Sequence, residues 1–243
     1  MVFLHPLPHD LTAWTYQTAH FATWCRTIAI DLPGHGRSPR PRPGMTLAEV
    51  AASCWDAVDE AVGDEPVILA GLSVGAVVAK YMVHNAPGRV VALVLTGGGF
   101  HTGAKGIADR HIGPYRERGL AHKREHLVAN FSPAFGQTAI ARHFVEIAME
   151  RNLAGDTEGT VELMRALDPP DPEWLHRGIA VPTLIVAGGL DRSLAAQEEL
   201  HRRIAGATLR VIDGAGHCCN IERPAEYDGH VLEFLRAQGA LQA

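Results

Sequence analysis

Short runs rich in Val, Ile and Leu recur along the chain, separated by longer stretches with apolar residues at helical spacing. The runs at 2–4, 26–30, 66–70, 90–95, 182–187 and 208–212 are mostly apolar on both faces, the pattern of strands buried on both sides of a parallel sheet. Between them, Thr46-Leu-Ala-Glu49 has the form of a capping box. It opens a stretch with apolar residues at Val50, Ala51, Trp55, Val58 and Val62. Residues 75–84 read as a buried helix stopped by Asn85-Ala-Pro87, and 224–236 as a closing amphipathic helix. Strand and helix in alternation predict an α/β fold with a doubly wound parallel sheet of about six strands.

The alternation breaks between 99 and 178. There the chain is helical and richer in His and Arg, with helices expected at 112–119, 123–130, 138–152 and 160–167. Asp168-Pro-Pro-Asp-Pro172 marks a linker back to the next strand. The expected organisation is therefore a core of residues 1–98 and 179–243 with a helical cap inserted at 99–178.

Length and charge narrow the possibilities. A chain of 243 residues fits one α/β domain with a modest insertion. Twenty-two Lys+Arg against 27 Asp+Glu give a net charge of −5 without a basic block, which argues against a nucleic-acid partner. Cys25, Cys54, Cys218 and Cys219 are too few and too irregular for a disulfide scaffold, and no CxxC occurs. Neither a signal peptide nor a run approaching ~20 apolar residues is apparent, so a cytoplasmic protein without a membrane partner is expected.

The candidate chemistry gathers at strand ends. Gly71-Leu-Ser73-Val-Gly75 follows the strand 66–70 and opens a helix, the context in which two glycines let a sharp turn expose a serine hydroxyl above the sheet. His217 follows the last strand in Gly214-Ala-Gly-His217, and Asp191 follows the fifth in Ala187-Gly-Gly-Leu-Asp191. All three fall at the carboxyl edge of the sheet, where open parallel sheets hold their sites. Each has a bland reading as well. With 14 histidines, position rather than type singles out His217, and Asp191 also reads as a helix cap. Asp213 is a rival acid better placed to cap its own turn, and Thr96-Gly97 offers no carboxylate after the fourth strand.

Asp31-Leu-Pro-Gly-His-Gly-Arg-Ser38, the Gly-Leu-Ser-Val-Gly turn, Gly-x-x-Asp191 and Gly-x-Gly-His217 together resemble the α/β-hydrolase superfamily, most of all its small bacterial carboxylesterases and enol-lactonases. The resemblance implies Ser73 as nucleophile, His217 as base and Asp191 as acid. It implies an oxyanion hole from the backbone N–H groups of Leu7 and Val74, and a small-molecule ester or lactone substrate with no cofactor and no metal. Two departures stand out. His5-Pro6 replaces the usual His-Gly, and Pro6 has no N–H. The N-terminal β-hairpin of most relatives is missing before the strand 2–4, which leaves 26–30 as an exposed edge and a homodimer as one way to cover it. The same triad also suits a C–C bond hydrolase of a diketone-like substrate, and Pro6 leans toward a non-catalytic binding protein.

Substrate contacts are expected from His5, Phe100, His101, Phe131, Phe135 and Cys218. His122 and His126 share a helical face, read here as solvated rather than metal-binding, since the flanking Lys123, Arg124 and Glu125 are charged and no HExxH occurs. Arg110, Arg116 and Arg118 offer cationic groups to a substrate carboxylate only if the cap turns them inward. Gly97-Gly-Gly99 reads as close backbone passage beside the serine turn rather than as a hinge.

Overall fold

The apolar runs pair into one parallel sheet of six strands in the order β2-β1-β3-β4-β5-β6. A computed structural model describes residues 1–99, 107–152 and 157–241. Phe100 and His101 lie outside the described residues. The first part of the chain forms β1 (Val2–Leu4), α1 (Thr15–Phe21), β2 (Ile28–Ile30), α2 (Leu47–Val62), β3 (Val67–Leu72), α3 (Val74–Asn85) and β4 (Val90–Thr96). Next come α4 (Ile107–Arg118), α5 (Leu120–Ala129), α6 (Ala139–Glu150), α7 (Glu158–Leu167) and α8 (Trp174–Arg177). The chain then returns to the sheet through β5 (Thr183–Gly188), α9 (Leu194–Arg203), β6 (Thr208–Ile212), α10 (Cys219–Glu222) and α11 (Pro224–Ala237).

Alternation along each strand divides the core in two. Val2, Leu4, Leu69, Leu93 and Leu95 pack with α2 and α3 on one face, while Phe3, Ile68, Ala70 and Val94 pack with Trp14, Phe21 and Tyr227 on the other. The central β3 and β5 are buried throughout, whereas β2 and β6, at the two edges, are partly exposed. The strand order reverses between β1 and β3, which are neighbours, so the crevice of the topological switch point opens between the loops that follow them.

Local chemistry sets the helix ends. The capping box at α2 forms as its spacing predicts: Thr46 Oγ1 accepts from the Glu49 N–H at 3.3 Å, and Glu49 Oε2 accepts from the Thr46 N–H at 2.8 Å. Helix α4 begins at Ile107, not near 112, and therefore carries Pro114 in its interior. The missing Pro114 N–H removes one bond to the Arg110 carbonyl, a loss the helix absorbs rather than ending there. No helix among the described residues is long and apolar enough to cross a membrane.

One charged pair is buried where the returning linker crosses α3. Lys80 Nζ donates to Asp171 Oδ2 at 2.8 Å, both side chains being almost fully enclosed. Burial pulls the Lys80 ammonium below its ordinary pKa, and the Asp171 carboxylate opposes that shift. Removing one member of such a pair strands a charge out of water. Asp171→Ala is expected to cost roughly 3–5 kcal/mol, whereas the Lys80→Met/Asp171→Leu double variant costs far less. Urea unfolding of the three proteins checks this; equal losses in the single and double variants would show that the charge itself is not the source.

Candidate active site

Ser73 sits in the one-residue gap between β3 and α3 with φ 57° and ψ −118°, and is the one non-glycine residue with positive φ among the described residues. Its N–H donates to the Thr96 carbonyl on β4 at 2.7 Å, which holds the turn tight. The flanking glycines are sterically required. A Cβ on Gly71 would lie 2.3 Å from the Gly75 carbonyl oxygen, and one on Gly75 would lie 2.2 Å from that of Leu4. The motif is therefore a consequence of three backbone segments meeting at one point, and the strain at Ser73 is confined to the residue whose side chain faces the crevice.

His217 and Asp191 come together across the ends of β5 and β6. The His217 Nδ1–H donates to Asp191 Oδ2 at 2.9 Å, which leaves Nε2 for a partner in the crevice. Asp191 Oδ1 accepts from the Ser193 N–H at 2.8 Å, and Oδ2 also accepts from Gln197 Nε2 at 3.0 Å. Burial alone would raise the Asp191 pKa; the facing His217 and the hydrogen bonds from His217 and Ser193 outweigh it and hold the carboxyl below its ordinary value. Asp213, the rival acid, is exposed. Gly97 explains the triple glycine, because a Cβ there would lie 2.7 Å from His217 Cε1.

Ser73, Asp191 and His217 border one cavity of about 780 Å³, together with Leu7, Phe131, Met164, Leu167 and Leu190. Val74, the first residue of α3, has no carbonyl four residues back in its own helix, so its N–H is of the kind that serves anions at helix starts. Leu7 borders the cavity from the loop after β1, and its carbonyl accepts from Asn130 Nδ2 at 2.8 Å.

The expected substrate contacts divide. Phe131 lines the cavity. His5 does not: its ring is wholly buried, Nε2 accepts from the Leu32 N–H at 2.9 Å, and Nδ1–H donates to the Pro6 carbonyl at 3.0 Å. Two backbone groups thus consume both ring nitrogens, and burial lowers the pKa of the ring. Cys218 turns away from the cavity beside its neighbour His217. Its Sγ packs 3.9 Å from His9 Nε2, and burial pushes the thiol well above its ordinary value. Phe135 packs against Phe131 with the rings tilted and their centres 5.2 Å apart, and it is not part of the cavity lining.

The face carrying His122 and His126 is also not solvated. His122 is buried, accepts from Arg118 Nη2 at 2.8 Å and meets His111 Nδ1 at 3.3 Å. His126 stacks on His111 at 4.3 Å and meets the Tyr115 hydroxyl at 3.0 Å, and both of these histidines border the cavity. Arg118 is engaged with Glu125, while Arg110 lines the cavity.

Sequence reasoning missed Gln197, Asn130 and Glu222. The Glu222 carboxylate accepts from the Ser132 N–H at 2.8 Å, the Ser132 hydroxyl at 2.5 Å and the Gly216 N–H at 2.9 Å, joining the helical insertion to the loop before His217. The Cys218 N–H donates to the Asn130 carbonyl at 3.0 Å. A polar residue inside an apolar helical stripe was the available signal for Gln197, which stands among Leu194, Leu200 and Ile204.

Residues 1–228 match the family model described as the alpha/beta hydrolase family. The chain is 29% identical over 247 residues to the dihydrolipoyllysine-residue acetyltransferase component of the acetoin cleaving system of Cupriavidus necator; the match covers 97% of this chain but 63% of that relative. It is 30% identical over 210 residues to the pimeloyl-[acyl-carrier protein] methyl ester esterase of Neisseria meningitidis, covering 81% of this chain and 76% of the relative. Among solved structures, the enol-lactonase from Burkholderia xenovorans LB400 superposes with a TM-score of 0.86 at 23% identity, covering 97% of this chain and 90% of that one; this likeness is one of fold.

Proposed function

The chain belongs to the alpha/beta hydrolase family, and on that premise we propose that it is a serine hydrolase cleaving a carboxylic ester or lactone through an acyl-enzyme on Ser73. The observation that carries this reading is the 2.9 Å bond from His217 to Asp191 on the wall of the cavity into which the strained Ser73 turn opens. Nε2 of His217 takes the Ser73 proton as Oγ attacks the substrate carbonyl, and Asp191 stabilises the imidazolium that forms. The N–H groups of Val74 and Leu7 hold the oxyanion. His217 then protonates the leaving alkoxide, and a water activated by the same imidazole releases the acid. Because Leu7 follows Pro6, its N–H can serve where the preceding residue has none.

The segment 99–178 acts in this reading as a cap that supplies the apolar wall, with Phe131 from the α5–α6 connection and Met164 and Leu167 from α7. An ester substrate is supported by the esterase relative from Neisseria meningitidis. A fluorophosphonate probe followed by a panel of esters, lactones and a dienol ketone tests the proposal. Labelling of Ser73 with turnover of an ester or lactone is the expected result. Cleavage confined to the dienol ketone would move the activity to C–C bond hydrolysis, and failure to label folded protein would favour a binding role.

A further inference from the structure

Gln197 joins the two surfaces that fix His217. Its side chain is wholly buried in α9. Oε1 accepts from the Gly97 N–H at 2.9 Å, and since a backbone N–H can only donate, the amide has one permitted orientation. Nε2 is therefore directed to the other side, donating to Asp191 Oδ2 at 3.0 Å and reaching Ser193 Oγ at 3.1 Å. Both ends bear on the same imidazole. Asp191 Oδ2 is the atom that receives the His217 Nδ1–H, and Gly97 is the backbone against which the ring lies. Gly99 closes the arrangement, since a Cβ there would lie 2.8 Å from the backbone nitrogen of Gln197 and 2.6 Å from Ala196 Cβ. The exit of β4 and the first turns of α9 are thus locked in register. A side chain that only filled the stripe between Leu194 and Leu200 would need neither hydrogen-bonding group; burying an amide is favourable only when both ends are satisfied, as they are here.

We propose that Gln197 is a positioning residue for His217, its amide setting the distance between the Asp191 carboxylate and the Gly97 backbone and so the place and orientation of the imidazole between them. The proposal rests on the reading of His217 as base and Asp191 as acid. The titratable groups that act on or are acted on by His217 are Asp191 from the β5–α9 turn, His9 from the loop after β1 and His126 from α5. Burial lowers His9 to about 3 and holds His126 well below its ordinary value, so both are neutral near pH 7 and Asp191 is the charged member.

Three variants test it. Gln197→Met keeps the volume and removes all three hydrogen bonds. With His217 free to shift, kcat is expected to fall roughly 10- to 100-fold, with KM changed by no more than about two-fold. Gln197→Glu keeps the acceptor for Gly97 and sets a second carboxyl group against Asp191. Two carboxyl groups about 3 Å apart cannot both ionise, so the introduced group keeps a proton, still donates to Asp191 and is expected to restore kcat to within about three-fold. The His217 Nδ1–H proton resonance, followed by NMR, reports the bond to Asp191 directly. It is expected to stay in place in Gln197→Glu and to shift or broaden in Gln197→Met and in Gln197→Asn, whose shorter amide cannot span Gly97 and Asp191. An unmoved resonance or undiminished kcat in folded Gln197→Met would overturn the proposal. If Gln197→Met does not fold, the resonance in Gln197→Asn decides alone. That measurement needs no substrate, so absence of hydrolysis across the ester and lactone panel would defeat the hydrolase reading without touching this result.

Discussion

Ser73→Ala is expected to lower kcat by about a million-fold while leaving KM nearly unchanged. The hydroxyl proposed as nucleophile is the only group lost. The turn is held by the Ser73 backbone N–H to Thr96 and by the close approach of Gly71, Gly75 and Leu4, none of which involves the hydroxyl. The N–H groups assigned to the oxyanion remain, so the residue of activity is whatever they and substrate binding supply. Ser73→Gly separates chemistry from strain. It abolishes turnover equally, yet releases a backbone held at φ 57° and is expected to stabilise the fold by about 1 kcal/mol. Steady-state kinetics and urea unfolding of both variants provide the check; turnover within ten-fold of the unsubstituted protein would remove Ser73 from the mechanism.

Asp191→Asn is expected to reduce kcat by about 10⁴-fold. The carboxylate accepts from three donors, the Ser193 N–H, Gln197 Nε2 and His217 Nδ1. An asparagine offers one oxygen and one NH2 in place of two oxygens, so it cannot accept from all three. If its NH2 faces His217, Nδ1 must become the acceptor and Nε2 carries the proton. An imidazole in that tautomer cannot take the proton of Ser73. Because the carboxyl of Asp191 is held below its ordinary value, loss of activity on acidification is not expected to come from protonation of Asp191 in the mildly acidic range. Steady-state kinetics check this, and wild-type kcat in a folded Asp191→Asn protein would exclude the role.

The sheet, the capping box and the meeting of Ser73, Asp191 and His217 were legible because each depends on local pattern and on the rule that parallel strands present their following loops at one edge. Three strand ends and three motifs need no side-chain detail to be brought together. Which neighbours of those residues face the cavity is a different matter. Cys218 adjoins His217 in sequence but packs on His9, and His5 belongs to the expected oxyanion loop but is satisfied by Leu32 and Pro6. Adjacency fixes proximity and leaves direction to the packing of distant segments. His122 and His126 show the converse: charged neighbours suggested a wet face, yet Tyr115 and His111 from α4 cover it. Asn130 and Glu222 were invisible as site residues, and Gln197 showed only as a polar residue in an apolar stripe, because each has among its partners a backbone group from another part of the chain, which carries no side-chain identity to read.

The Glu222 carboxylate has a bearing on inheritance and on protein engineering. Helical insertions between two strands of a sheet invite treatment as exchangeable cassettes, grafted from one relative to another to import a new specificity. Here a core helix supplies the acceptor and the inserted segment supplies two of its donors, the Ser132 N–H and hydroxyl, while Arg151 reaches back from the end of α6 to Asp10 and Asp31. A chimera exchanging residues 99–178 without regard to these positions would leave an enclosed carboxylate short of partners beside the loop that carries His217. A substitution at position 132 therefore bears directly on position 222, and an exchange that keeps the contact has to carry both positions together.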